Sequence, residues 1–269
     1  MNFAIRWRLG SQKAGTRGYR FLMGFIPFVL LGLGWVFLVH GVKIPAFFLP
    51  PLESLPRVLW ELFAEAGILK DVLISCCRVF LGFLLAVVLA TPLGLLMGYS
   101  RSANLVLAPM MGFVRYLPVP VFIPLTILWF GSGDLQKMMI IFVGVFFQLI
   151  LMVEDASNSV RREYFESAIM LGAPRRDLIL RVLWPAALPQ IVDSYRVCMG
   201  WAWTYLVVAE LVGSSSGIGY YIIKAQRYLL VPQIFAAIII IGFLGLSTDL
   251  SLAALHRRLF PWAERGRWG

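Results

Sequence analysis

The sequence predicts an all-α integral membrane domain with six transmembrane helices, and three observations lead there. Sixty per cent of the 269 residues are hydrophobic and only fourteen per cent are charged, which is more apolar surface than a soluble core of this size can hide. The apolar residues gather in six stretches, each near the about 20 residues that cross a hydrocarbon core about 30 Å thick. When those stretches are laid out as spans, the Lys and Arg residues collect on one side, as the positive-inside rule requires.

Residues 1–20 are polar and carry Arg6, Arg8, Lys13, Arg17 and Arg20, forming an N-terminal tail. Span 1 is 21–40. Its length exceeds the ~7–15-residue core of a signal peptide and no small-residue cleavage site follows, so it reads as a retained span. In the following segment Ser54 is placed to cap a short amphipathic helix with Pro56 in its first turn, lying along the membrane face. Span 2, about 74–98, contains Gly82, Pro92, Gly94 and Gly98, residues that let membrane helices approach closely or bend. Span 3, about 105–130, holds Pro118, Pro120 and Pro124 and must be kinked or broken. A broken helix is tolerated in a membrane only where protein or a water-filled cavity covers the freed backbone, so span 3 is expected to border a pathway. Spans 4, 5 and 6 are about 138–153, 191–212 and 235–255. Residues 21–260 thus form one transmembrane domain with no room for an appended soluble enzyme, and 261–269 form a C-terminal tail. There is no repeat or low-complexity tract.

The net charge of +10 follows from topology. The basic residues are spread over short loops and termini, without the patch of cations and interleaved aromatics that nucleic acid requires. Fifteen Lys and Arg lie on the side of both termini and of the polar segment 155–187, against Lys43, Arg57, Lys70, Lys137, Lys224 and Arg227 on the other. Both termini are therefore expected in the cytoplasm. Cys76, Cys77 and Cys198 lie in apolar segments without metal spacing and are expected to act as small buried side chains.

The longest polar interruption, EYFESAIMLGAPRRDLILRVLWPAALP, begins at Glu163. Glu163 to Leu171 are helix-forming, Gly172 can take the left-handed conformation that closes a helix, and Pro174 suits the first turn of a second helix. A helical hairpin at about 160–187, carrying Arg161, Arg162, Arg175, Arg176 and Arg181, reads as a docking surface beside the membrane.

Arg78, Arg115, Arg196 and Glu210 lie within spans, where a central charge costs about 2.5–3.5 kcal/mol on insertion scales. They must face protein or water. Either the arginines, with Pro118 and Pro120 at the kink, set a positive potential along an anion pathway, or they pair with Glu210, Asp193 or backbone carbonyls and lock helices together. The run GSSSGIGYY, 213–221, is expected to be a turn capping span 5, with an anion-binding nest of backbone amides as the alternative. No catalytic residue set, metal site or phosphate-binding Gly-x-x-x-x-Gly-Lys loop is present, so any ATP hydrolysis must come from another chain.

Glu166-Ser167-Ala168, three residues, Gly172, nine residues, Val182 and then Trp184-Pro185 resemble the EAA motif of permease subunits in ATP-binding cassette (ABC) importers. Ser167, Val182 and Trp184 stand where that motif has Ala, Ile and Leu. The segments FLPPLESL, SCCRVFLGFLLAVVLATPLGLLMGYSR, RYLPVPVFIPLTILWFGSGD, YRVCMGWAWTYLVVAELVGSSSGIGY and LHRRLFPW extend the likeness over about 48–260, to the nitrate, sulfonate, taurine and bicarbonate branch. Arg78, Arg115, Arg196 and Glu210 match positions general in that branch.

The resemblance implies a type I importer fold in a bacterial cytoplasmic (inner) membrane. It implies a homodimer of permeases, a cytoplasmic ABC ATPase that binds ATP and Mg while this chain binds no cofactor, and a periplasmic or lipid-anchored substrate-binding protein. It gives Glu166, Ser167, Ala168, Gly172, Ala173, Pro174, Arg175 and Asp177 to ATPase coupling and Pro185 to the re-entry of the hairpin into span 5. A vitamin precursor such as a thiamine pyrimidine is the alternative cargo. An ion-coupled secondary transporter is the alternative class, but it calls for mid-membrane coupling carboxylates and repeats.

Overall fold

The computed structural model describes residues 17–65 and 67–263, and every regular element among them is helical. Helix α1 (Arg17–Val36) runs into a wide turn at Phe37–Gly41, and a short turn at Leu52–Ser54 leads to α2 (Leu55–Ala64). The long helix α3 (Leu69–Tyr99) is followed by α4 (Arg101–Val114), a tight turn at Val119–Phe122, and α5 (Ile123–Phe130). Next come α6 (Asp134–Asn158), α7 (Arg162–Met170) and α8 (Arg175–Asp177), which passes through a π-helical segment at Leu178–Leu183 into α9 (Trp184–Glu210). Helices α10 (Ile218–Arg227) and α11 (Val231–Leu259) complete the chain.

Helices α3, α6 and α9 form the centre. Along α3 the glycines are contact points: a Cβ on Gly82 would lie 2.7 Å from the Met138 carbonyl, and one on Gly94 2.7 Å from the Ile150 carbonyl, both on α6. Only glycine lets the two backbones come this close. Val79, Ala86, Ala90, Ile141, Val145, Leu149, Ile191, Ala202 and Leu206 fill the seam with no exposed surface. The outer faces are the reverse: Phe28, Leu31, Leu128 and Phe243 are 68–78% exposed, an apolar belt that suits lipid rather than water.

Met23–Gly41, Leu69–Tyr99, Asp134–Asn158 and Val231–Leu259 are each long and apolar enough to cross, and α4 with α5 forms one crossing bent by 90°. The expected span 5 falls on α9, whose 27 residues reach about 40 Å, long enough for a sixth crossing. It is less apolar because it carries Asp193, Arg196 and Glu210, which face neighbouring helices. The expected break in span 3 is present. Residues 115–118 leave the helix, Pro124 starts α5 in its first turn, and α5 is eight residues long, or about 12 Å.

Several expectations need correction. Helix α1 begins at Arg17, ahead of the crossing stretch that starts at Met23; residues 1–16 and 264–269, with most of both tails, lie outside the described residues. Ser54 does not cap α2, although that helix forms with Pro56 in its first turn. Its hydroxyl donates instead to the Pro51 carbonyl at 2.7 Å, because the 3-10 turn ahead of the helix already places Ser54 in helical geometry. Cys198 is buried and Cys76 half-buried, but Cys77 is exposed, as adjacent residues on a helix cannot share one face.

Candidate coupling hairpin and translocation site

Helix α7 ends as a Schellman closure. The Ala173 N–H donates to the Ala168 carbonyl at 3.0 Å, the Gly172 N–H donates to Ile169 at 2.9 Å, and Gly172 takes φ 81°. Pro174 sits one residue earlier than expected, at the cap of α8 rather than inside it, where its carbonyl accepts from the N–H groups of Asp177 and Leu178. Leu178 and Leu183 are buried and root the second arm. Pro185 is in the first turn of α9, directly after the π-helical segment, a widened turn of the kind that relieves the missing N–H and the ring clash of proline. The second arm is therefore continuous with span 5.

The corner itself is open. Met170 and Leu171 are each 88% exposed, and Glu166, Ser167, Arg175 and Arg176 are exposed around them, with Ala168 and Ala173 half-buried. Glu163 in the first turn of α7 accepts from Arg161 at 3.2 Å. A hydrogen bond from its own backbone N–H, and then that from Arg161, hold its carboxyl below the usual pKa.

At the far end of α9 the charges are closed in. The Glu210 carboxylate accepts from Ser75 Oγ at 2.8 Å, Arg78 Nη1 at 2.7 Å and the Gly219 N–H at 2.8 Å. Arg78 also donates to Asp134, to the Ser216 carbonyl and to Ser216 Oγ. The Gly217 N–H donates to Asp71 at 2.7 Å and the Ile218 N–H to Ser75 Oγ at 2.9 Å. Lys137, 1% exposed, donates to the carbonyls of Ser132 and Gly213. The 213–221 run is thus a nest of amides, but the chain's own oxygens fill it.

Arg196 binds Asp249 of α11 through two hydrogen bonds, at 3.0 and 3.2 Å, and lies 3.7 Å from Asp193. Arg78, Arg196 and Glu210 therefore occupy helix-locking geometry. Arg115 differs: it lies in the break of the bent span, exposed, and among the described residues its one polar side-chain contact is Tyr116 at 2.9 Å. With Pro118 it lines a cavity of about 370 Å³ whose wall includes Gln148, Trp201 and Tyr205. Pro120 is exposed and lies outside that lining.

A profile of the family described as the binding-protein-dependent transport system inner membrane component matches residues 90–261. The chain belongs to this family. The permease is 35% identical over 252 residues to a putative aliphatic sulfonates transport permease of Bacillus subtilis, covering 93% of this chain and 91% of that one. It is 30% identical over 262 residues to the taurine transport system permease of Escherichia coli, covering 96% and 94%. Its fold matches a permease chain of the inward-facing MetNI methionine ABC transporter with a TM-score of 0.65, at 18% identity, over 72% of this chain and 96% of that one.

Sequence reasoning on the permease overlooked Asp134, Asp249 and Gln148. Asp249 carried a usable signal, a carboxylate within span 6, and so did Gln148, an amide within span 4. Asp134 at the start of α6 looked like an ordinary first-turn acid, and nothing in the sequence pairs it with Arg78.

Proposed function

We propose that the permease forms the translocation pathway for a small anion, delivered by a substrate-binding protein and driven by a separate cytoplasmic ATPase. The observation that carries the anion is Arg115, a cation without a carboxylate partner among the described residues, at the wall of a cavity in the broken span. Arg115 lies about 21 Å from the start of α4, within the bent span, and a cation inside a span is by default a candidate for transport. The relatives named for aliphatic sulfonates, taurine and bicarbonate support this cargo, with a sulfonate-like compound leading.

In this reading the corner at Met170–Asp177 docks into the ATPase, which holds the ATP and Mg. Glu166, Ser167, Ala168, Gly172, Ala173, Pro174, Arg175 and Asp177 carry the coupling. Arg175 and Glu166 meet the partner as charges, Gly172 keeps the corner tight, and Pro185 with the π-helical segment fixes how its motion enters α9. A second copy of the permease completes the pathway, and the hairpin and both termini face the cytoplasm.

The test is uptake in proteoliposomes holding the permease, its ATPase and the binding protein. Arg115→Gln is expected to lower sulfonate uptake at least about tenfold while assembly with the ATPase persists. Loss of assembly before loss of uptake would make Arg115 structural, and uptake of only neutral compounds by the unaltered complex would reject the anion reading.

A further inference from the structure

Helix α10 has an apolar face, with Ile218 and Ala225 buried and Ile222 packed beside them. Tyr220, Lys224 and Arg227, at i, i+4 and i+7, share another face. That face lines a cavity of about 440 Å³ against the end of α9 and the 211–214 loop, whose wall includes Glu210, Ser214, Tyr220, Lys224, Arg227 and Tyr228. The length of α9 separates this cavity from the hairpin, so it opens on the opposite side of the membrane.

Four features mark the cavity as built for an anion. Lys224 and Arg227 are exposed at its rim, and among the described residues neither makes an ion pair. Ser214 Oγ is buried and has no hydrogen-bond partner among the described residues, an arrangement that folded proteins avoid unless something else accepts the proton. Tyr220 and Tyr228 line the same cavity and bring two phenol groups to its wall. Glu210 turns no free oxygen to an anion, because both its oxygens are engaged by Ser75, Arg78 and Gly219. Placement in the last turn of a helix explains why cations are tolerated there. It does not explain why a serine with a buried, unpartnered hydroxyl and two tyrosines line the same cavity.

We infer that this cavity is an anion-binding site at the outer mouth of the permease, taking a small oxyanion with a short organic group, such as a sulfonate. The inference rests on the reading of the permease as an anion importer and adds to it a place where cargo leaving the binding protein is first held. The volume is at the low end for small-molecule sites and suits a compact molecule rather than a peptide segment. Two cations at the rim of a cleft also raise the local concentration of anions.

The test uses the permease–ATPase complex in nanodiscs, without binding protein, and radiolabelled methanesulfonate as probe. The unaltered complex and Arg115→Gln should both bind it, since the outer site lies apart from Arg115. Lys224→Gln with Arg227→Gln should weaken binding at least about tenfold, Ser214→Ala about threefold, and Lys224→Arg should retain it, all with an unchanged melting temperature. Binding by the double variant equal to that of the unaltered complex, or complete loss in Arg115→Gln, overturns the site. A double variant that still binds methanesulfonate but no longer docks the loaded binding protein would make the face a protein-docking surface and also overturn it. An unaltered complex that binds methanesulfonate but imports no anion would refute the importer reading alone and leave the site standing.

Discussion

The two ends of α9 carry similar residues put to opposite uses. At the hairpin end, Glu166, Arg175 and Arg176 are exposed beside bare Met170 and Leu171. At the other end, Arg78, Lys137 and Glu210 are almost wholly buried, and each is met by hydrogen-bond partners. A charged group in water needs no partner, whereas one in an apolar interior must find all of them within the chain. The first end is consequently free to bind another protein, and the second holds α3, α6, α9 and α10 in one arrangement.

Glycine sharpens the contrast. Gly172 and Gly217 both have positive φ, 81° and 102°. A Cβ on Gly172 would meet nothing within 4 Å, but one on Gly217 would run into the Glu210 carboxylate and lie 2.7 Å from Arg78 Nη1. The corner requires a backbone conformation; the buried end requires conformation and space together.

The largest effect is expected from Glu210→Ala, which strands Arg78 and should lower stability by about 3–5 kcal/mol, read by thermal unfolding in detergent. Gly217→Ala should follow at about 3 kcal/mol, as backbone strain of about 1–3 kcal/mol is joined by a clash. If it unfolds no more easily than Gly172→Ala, the buried end is looser than described. Gly172→Asp should change stability by only about 1 kcal/mol, since Asp tolerates the left-handed region. It should nonetheless abolish transport by adding a negative charge where the corner meets the ATPase, and normal uptake would remove the coupling role. Leu171→Asp is expected to leave the melting temperature unchanged, within about 0.5 kcal/mol, and to weaken ATPase binding about tenfold in a pull-down titration. Undiminished binding would show that the exposed leucine is not part of the docking face.

Much of this was legible in the sequence because its causes are local. Gly172 announced a left-handed helix end, and three prolines announced the break in span 3. The glycines of span 2 announced a close approach, though not that Met138 and Ile150 would be the groups approached. Helix α9 begins seven residues ahead of the expected span 5, because the π-helical segment at Leu178–Leu183 lets α8 continue into it.

Span number, the broken helix and the tight corner were determined by the sequence alone, since they depend on hydrophobic length and on backbone preferences of single residues. Which charges are partners was decided only by tertiary structure. Arg78 lies 56 residues from Asp134 and 132 from Glu210, and no local rule ranks pairs so far apart. Only the packing of α3 against α6 and α9 made Arg78 a buried tie and left Arg115, of the same chemistry, facing an open cavity.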